Sequence, residues 1–300
     1  MAGQLPRVVL VTRRTDLEAL VARHGTREQA RFFLQGRQQS IEELEARHAR
    51  FEEALQVVSK AIPVKWRRSR LDRSDLSRFV FEPEDLVLVV GQDGLVANVA
   101  KYLDGQWVLG INPDPDRYEG ILVPVGPPMV ADLLEPAVKR SCKVQERTMV
   151  EAKLDDGQRL LALNEVFVGH RTHQSARYRL RMGEREERHS SSGMIVCTGT
   201  GSTGWALSIH RQTHPGLALP TSEAASLAYF VREAWPGKGC EATLTAGLLD
   251  ASADLEVTSE MNEDGVIFGD GIEDDRLDFG WGMRAVIRRA EERLHLVSGG

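Results

Sequence analysis

The sequence places a carboxylate in a glycine-flanked turn, Gly91-Gln92-Asp93-Gly94. The apolar run Leu86–Val90 before it has the length of a buried strand, and the residues after it follow a helical pattern. Ligands of open α/β sheets bind beyond the carboxyl ends of strands, and a helix N-terminus there favours phosphate. Asp93 is therefore a candidate to face a ligand. The alternative is a tight turn in which Asp93 only caps the helix.

A second glycine-rich turn, CTGTGSTGW at residues 197–205, combines glycines with hydroxyl side chains. It follows a strand-like run and precedes a predicted helix, so its donors could cradle phosphate or bind a base and ribose. A flexible loop with a hydroxyl helix cap is the alternative. Gly199, Gly201 and Gly204 also match a dinucleotide fingerprint, but Pro215 and Pro220 interrupt the place where the second parallel strand should run.

Two further segments carry polar residues inside or beside apolar runs. Asn164 and Glu165 interrupt the run 158–168, and successive strand residues face opposite sides, so both can touch one ligand only at a strand end or bulge. Asn112 opens the proline-stiffened loop NPDPDRYEG, which leaves the predicted strand Trp107–Ile111. For both segments, solvent-facing or rim positions are the alternative.

These segments need two kinds of scaffold to position them. Strand and helix patterns alternate up to about residue 126, which predicts a doubly wound α/β domain over residues 1–126. Hairpin signals such as Asp155-Asp156-Gly157 dominate afterwards, which predicts a mostly-β domain of layered sheets or a sandwich over residues 127–300. A short strand is also expected at Val64–Trp66.

Composition excludes several classes of protein. The 300 residues carry 38 basic and 44 acidic side chains, a net charge of −6, which argues against a dedicated nucleic-acid binder. Three distant cysteines predict neither a disulfide framework nor a zinc site. No apolar run has membrane-spanning length and no signal peptide is evident, so we expect a cytoplasmic protein with no membrane partner.

Taken in order, these motifs resemble the NAD kinase family, and most closely its mitochondrial branch and the bacterial relatives of that branch. The stretches that carry the resemblance are the Gly91–Gly94 turn, INPDPDRYEG, LNEVFVG, CTGTGSTGW with Ser208, FVRE and the region around Asp270. The resemblance covers most of the chain, and its specificity lies in the order and spacing of the motifs.

The resemblance implies a Rossmann-like α/β domain, a mostly-β domain, and ATP-dependent phosphorylation of the adenosine-ribose 2′-hydroxyl of NAD. It implies Mg²⁺ bound with ATP, no metal ligands from the protein itself, and a homo-oligomer, expected to be a dimer. Asp93 matches the family's general base. The implied substrate- and nucleotide-binding positions are Gly91, Gln92, Gly94, Asn112, Gly120, Ile121, Asn164, Glu165, Thr200, Gly201, Ser202, Thr203, Trp205 and Ser208.

The sequence departs from the family at the first turn, where the usual pattern is GGDGT. Gln92 replaces a glycine that permits close phosphate approach and positive φ, and Leu95 removes a hydroxyl. Two alternatives follow. One is a kinase of the same fold with another nucleoside or sugar acceptor or another donor. The other is a non-catalytic nucleotide-binding or regulatory homologue.

Overall fold

The computed structural model describes residues 5–240 and 242–298, and the chain forms two compact units. One unit ends at Gln145 and resumes at His295, and the other runs Glu146–Leu294. The sequence predicted a division near residue 126. The later division arises because the helix after that point packs into the first core through Val130, Leu134 and Ala137.

Strands and helices alternate in the first unit, in agreement with the predicted α/β domain. Its strands are β1 (Arg7–Thr12), β2 (Arg67–Asp72), β3 (Leu86–Val90) and β4 (Trp107–Ile111). Its helices are α1 (Asp16–His24), α2 (Arg27–Gln35), α3 (Ile41–Ala61), α4 (Asp93–Ala100) and α5 (Val130–Val138). Short 3₁₀ helices cover Arg73–Arg78 and Pro127–Met129.

The predicted strand at Val64–Trp66 is wrong. The N–H group of Trp66 donates to the carbonyl of Pro63 at 3.0 Å, which closes a turn after α3, and β2 starts only at Arg67. Proline cannot continue the helix, so the chain must turn before it can enter the sheet.

The four strands are parallel in the order β2-β1-β3-β4. The strand order reverses between β1 and β3, because the chain leaves β1 for β2 on one side and returns to β3 on the other. Such a reversal opens a crevice at the carboxyl ends of the two strands. Arg13 and Arg14 follow β1, and Gly91 and Gln92 follow β3, so these residues surround the crevice.

The second unit is built mostly from strands. They are β5 (Val144–Leu154), β6 (Arg159–Ala162), β7 (Glu165–His170), β8 (Ala176–Met182), β9 (Arg185–Ser191), β10 (Met194–Cys197), β11 (Leu227–Val231), β12 (Ala246–Leu249), β13 (Leu255–Ser259), β14 (Gly265–Gly269), β15 (Ile272–Asp278) and β16 (Arg284–Val297). Helix α6 (Trp205–Thr213) follows a 3₁₀ turn at Gly201–Thr203. The end of β16 pairs in parallel with β4 and belongs to the first unit.

These strands form two layers, as predicted. One contains the path β16-β13-β8-β9 with β5 and β6 attached, and the other is the antiparallel sheet β12-β11-β10-β7-β14-β15. Buried side chains of both layers, among them Tyr178 and Tyr229, share one core. Helix α6 packs on the other face of the second sheet beside Phe167 and Phe230. Among the described residues, no helix is long and apolar enough to cross a membrane.

A buried polar cluster links the stability of the second unit to pH. The Glu187 carboxylate accepts hydrogen bonds from the Thr243 hydroxyl and from the N–H groups of Thr243 and Leu244, the latter two at 2.8 and 2.9 Å. Burial raises the pKa of Glu187, but these hydrogen bonds outweigh burial and hold the pKa at about 2. His189 stacks on Tyr178, and burial lowers the pKa of its imidazole.

We predict that acid destabilises this unit in two steps. His189 contributes a loss of stability below its usual pKa of 6.5, because only the unfolded chain readily takes up that proton. Glu187 contributes a second loss as the pH falls from its usual pKa of 4.5 toward 2. Glu187→Gln should cost about 1–3 kcal/mol at neutral pH and flatten the second step. Urea unfolding at a series of pH values measures both effects.

Glu186→Gln, one position away on β9 and exposed, is the matched control and should change neither quantity by more than about 0.5 kcal/mol. Equal pH profiles for the two variants would contradict the assignment.

Candidate functional site

Asp93 is the first residue of α4 and lies directly beyond the carboxyl end of β3. Its carboxylate accepts hydrogen bonds from the N–H groups of Ile121 and Leu122, at 3.1 and 2.8 Å. The N-cap residue of the helix is Gln92, whose side chain makes no hydrogen bond to the helix N-terminus, so Asp93 is not the helix cap. Asp93 instead holds the Gly120–Leu122 segment against the end of the sheet.

Asn112 and Gly120 complete this arrangement. The buried Asn112 side chain donates to the carbonyl of Tyr118 at 2.7 Å and accepts from the N–H group of Asp114 at 3.0 Å. Gly120 has a φ of +69°, and a Cβ there would lie 2.8 Å from Nδ2 of Asn112. The structure thus brings Asp93, Asn112, Gly120 and Ile121 together, and the side chain of Asn112 shapes the loop.

The two departures from the family turn fit without strain. Gln92 has a φ of −101°, which any residue adopts, so no glycine is required for the backbone. Its side-chain oxygen accepts a hydrogen bond from Arg13 at 3.1 Å. Leu95 is 1% exposed and packs beside Gly91, so it adds to the core. A Cβ at Gly94 would meet open space.

A cleft lies at the strand reversal beside this turn. Its cationic lining comes from Arg13, Arg14 and Arg47, and its apolar lining includes Leu44 and Phe51 from α3. A neighbouring cleft shares Arg13 and Arg14 and adds Arg73, which follows β2. The cleft combines positive charge with apolar walls, which suits an anionic ligand that carries a ring.

In the second unit, Asn164 lies in a bend between β6 and β7, and Glu165 is the first residue of β7. The expected run 158–168 is therefore two strands, and the break falls at the polar pair. Within residues 5–240 and 242–298, the half-buried Asn164 carboxamide has no hydrogen-bond partner. A carboxamide with unused donors and acceptors at a strand end can bind the polar edge of a ligand.

The 198–203 turn packs directly on this bend. Thr198 donates its hydroxyl to the carbonyl of Leu163 at 2.6 Å and its N–H group to the carbonyl of Asn164 at 2.9 Å. A Cβ at Gly201 would lie 2.1 Å from the backbone carbonyl oxygen of Asn164, and one at Gly199 would lie 1.8 Å from the backbone carbonyl oxygen of Thr221. Glycine is needed at both positions because backbone passes so closely.

Most backbone N–H groups of this turn already have acceptors within the turn. The N–H groups of Thr200 and Gly201 both donate to the Thr198 hydroxyl, at 3.1 and 3.2 Å, and that of Ser202 donates to the Thr198 carbonyl. The hydroxyls of Ser202 and Thr203 donate to backbone carbonyls of the same turn. The hydroxyls of Ser202 and Thr203 can therefore only accept from a ligand, whereas the Thr200 hydroxyl accepts from Arg147 and keeps its own hydrogen to donate.

Trp205 and Ser208 lie on α6 at the far end of the turn. The Ser208 hydroxyl donates to the Trp205 carbonyl at 2.8 Å, inside the helix. The indole of Trp205 stacks on Phe167 with ring centroids 5.8 Å apart, and Arg232 lies over the indole at 5.1 Å. Trp205, Phe167 and Arg232 line a pocket on the outer face of the second sheet. Glu165 and Phe167 share that face of β7, because they are two residues apart.

The structure argues against a cysteine nucleophile and against one candidate metal site. Burial, with a contribution from the Glu165 carboxylate, raises the pKa of Cys197 to about 12, so the thiol stays protonated and is not a nucleophile. Ligand atoms of Glu18, His48 and Glu52 lie within 4.8 Å of one another. The Thr15 hydroxyl already bonds both Glu18 and His48 at the start of α1, so a helix cap accounts for this group.

Sequence reasoning missed Arg13, Arg147 and the carboxylate contacts of Asp270. Arg147 is 6% exposed, and its Nη1 lies 3.5 Å from the Thr200 hydroxyl. Asp270 accepts hydrogen bonds from the N–H groups of Leu163 and Asn164. No local pattern marks an arginine in a strand as a site residue, whereas the Asp270 region was noticed only as part of the resemblance.

Comparison with known proteins finds relatives that all carry the same name. No family model matches the chain. An NAD kinase of Geobacter metallireducens is 28% identical over 225 residues, which cover 71% of this chain and 73% of that protein. NAD kinases of Clostridium botulinum and Methylococcus capsulatus are 30% and 35% identical over 45% and 41% of this chain, and the matches span 49% and 44% of those proteins.

Solved structures share the fold. Yeast NADH kinase complexed with NADH superposes with a TM-score of 0.65 at 13% identity, over 99% of this chain and 84% of that one. An NAD kinase from Archaeoglobus fulgidus in complex with ATP gives a TM-score of 0.61 at 20% identity, over 97% and 93%. The predicted fold class is confirmed.

The sequence matches and the common fold agree with the order of motifs that the sequence presents. The names of these relatives agree with the prediction of a phosphotransferase that acts on a hydroxyl group. Placement in the mitochondrial branch stays a prediction. The chain is similar to NAD kinases in sequence and shares the fold of the solved members of that family.

Proposed function

We propose that this protein transfers a phosphoryl group from ATP to the 2′-hydroxyl of the adenosine ribose of NAD or NADH. The observation that carries the proposal is the Asp93 carboxylate, held by two backbone N–H groups beside an arginine-lined cleft at the strand reversal. A fixed carboxylate next to an anion-binding cleft is what transfer of phosphate to a hydroxyl requires.

On the acceptor side, we assign the nucleoside of the dinucleotide to Asn164 and Glu165. The unpaired carboxamide of Asn164 can bind the polar edge of a base, and a carboxylate such as Glu165 can accept from a ribose hydroxyl. Thr200, Gly201, Ser202 and Thr203 form the wall behind them. Trp205 continues the site toward the aromatic pocket, where a second ring could pack.

On the donor side, the cleft beside Gly91 and Gln92 receives ATP. Arg13 and Arg14 neutralise phosphate charge, and Leu44 and Phe51 offer apolar contact to the adenine. We include Mg²⁺ in the proposal: Mg²⁺ is usually held by one or two carboxylates and the substrate's phosphates, so a site without an all-protein cage fits it. When bound, the ion would neutralise charge on the transferred group.

The proposed step is an in-line displacement. The ribose 2′-oxygen forms a bond to the γ-phosphorus while the bond from that phosphorus to the β,γ-bridging oxygen breaks, and ADP leaves. The hydroxyl proton passes to Asp93. Both oxygens of Asp93 already accept an N–H group, and each keeps a lone pair for this proton. The homodimer and the cytoplasmic location stay predictions.

We predict that the purified protein makes the 2′-phosphorylated dinucleotide from ATP, Mg²⁺ and either NAD or NADH. Mass spectrometry with phosphorus NMR identifies the product and the position of the new phosphate. Failure with both dinucleotides would defeat the proposal. Product from another nucleoside only would support the alternative acceptor, and nucleotide binding without any turnover would support the non-catalytic alternative.

We predict that Asp93→Asn lowers kcat about 10²–10⁴-fold, because general-base help is lost. The carboxamide also turns an NH₂ group toward an N–H group of Ile121 or Leu122, so KM for the dinucleotide should rise, by less than about tenfold. Asp116→Asn, in the exposed loop after β4, is the control and should match wild type. Steady-state kinetics decide, and an Asp93→Asn enzyme with wild-type kcat would leave Asp93 a loop clamp only.

We predict that Arg13→Gln raises KM for ATP about tenfold while KM for the dinucleotide changes less than about twofold, since a charge-assisted contact to phosphate is lost. Arg78→Gln, exposed at the end of a 3₁₀ helix, is the matched control. Equal KM values for ATP in both variants would remove Arg13 from the donor site.

A further inference from the structure

The bend at Leu163-Asn164 leaves two backbone N–H groups outside the strand ladders, and one side chain satisfies both. Asp270 accepts from the N–H group of Leu163 at 3.1 Å with one carboxylate oxygen and from that of Asn164 at 2.7 Å with the other. The N–H group of Asp270 donates to the carbonyl of Glu165 at 3.0 Å. One residue is thus bonded to three consecutive residues of the bend.

Asp270 is itself fixed in place by a hairpin. It and Gly271 form the two-residue connection between β14 and β15, with φ values of +55° and +68°. Both signs are those of a type I′ turn, where Asp-Gly and Asn-Gly are favoured. A Cβ at Gly269 would lie 2.8 Å from Cβ of Ala162, so the hairpin also packs closely on the end of β6.

The bond geometry requires a carboxylate and not merely a turn residue. A carboxylate offers two accepting oxygens, whereas a carboxamide offers one and places an NH₂ group where the second N–H group points. The hairpin alone would be served equally well by asparagine. The choice of aspartate is therefore explained by the bend that it holds.

We propose that Asp270 is a positioning residue, which sets the orientation of Asn164 and Glu165 toward the nucleoside through the backbone of the bend. This inference rests on the proposed function of those two residues. Thr198 holds the same bend from its other side through the carbonyls of Leu163 and Asn164. Asp270 thus binds the backbone N–H groups of the bend, and Thr198 binds its backbone carbonyl groups.

The test is Asp270→Asn, which keeps a favourable I′ turn and removes one acceptor. We expect the Kd of the purified protein for NADH, by calorimetry, and KM for NAD or NADH to rise about tenfold, with kcat changed less than about threefold. The backbone N–H groups of Leu163 and Asn164 should exchange with deuterium at least about tenfold faster. Asp270→Gly, which removes both acceptors and keeps the turn, should enlarge each effect.

Asp264→Asn is the matched control. Asp264 lies at the opposite end of β14, also has a positive φ of +51°, and bonds Arg171. The Asp264→Asn variant should leave Kd, KM and both exchange rates unchanged, while its thermal midpoint should change about as much as that of Asp270→Asn. If Asp270→Asn and Asp264→Asn bound NADH with the same Kd, the proposal would be overturned. This would hold even if the two N–H groups exchanged faster in Asp270→Asn, because the bend would then not matter for binding.

Different experimental results would overturn the inference about Asp270 and the proposed function. A wild-type protein that phosphorylates neither NAD nor NADH defeats the function, while the NADH affinity and the two exchange rates still decide the role of Asp270. A wild-type protein that does not bind NADH at all overturns both.

Discussion

Backbone N–H groups that leave regular structure must find another acceptor, and this constraint shapes the candidate site residues of each unit. In the first unit the Asp93 carboxylate receives the N–H groups of Ile121 and Leu122. In the second, the Asp270 carboxylate receives those of Leu163 and Asn164, and the Thr198 hydroxyl receives those of Thr200 and Gly201. Each irregular segment is thereby rigid before any ligand binds, and a pre-organised site loses less entropy on binding.

The same constraint bears on the proposed binding of phosphate. The turn at residues 198–203 uses its own N–H groups internally, so it differs from loops that cradle phosphate with backbone amides. The positive charge comes instead from arginine side chains, at the carboxyl ends of β1 and β2 in the first unit and at Arg147 in the second. Arginine suits this task because its planar fork of donors matches phosphate oxygens.

The two departures at the first turn are explained by contacts within this chain. Leu95 fills core volume beside Gly91. Gln92 takes an ordinary backbone conformation and turns its amide toward Arg13. The turn therefore carries a side chain linked to a cation, where the usual family pattern has glycine.

The sequence by itself determined the α/β and mostly-β halves, the strand before Asp93 and the resemblance to the family, because apolar periodicity and motif order are local properties. The position of Asn164 at a strand end was left as one of two options. Only the tertiary structure decided that option, the role of Asn112 in its loop, the internal bonding of the 198–203 turn and the contacts of Asp270. The bonds of Asp270 and Thr198 to the bend at Asn164 join residues up to 107 positions apart, which no local pattern encodes.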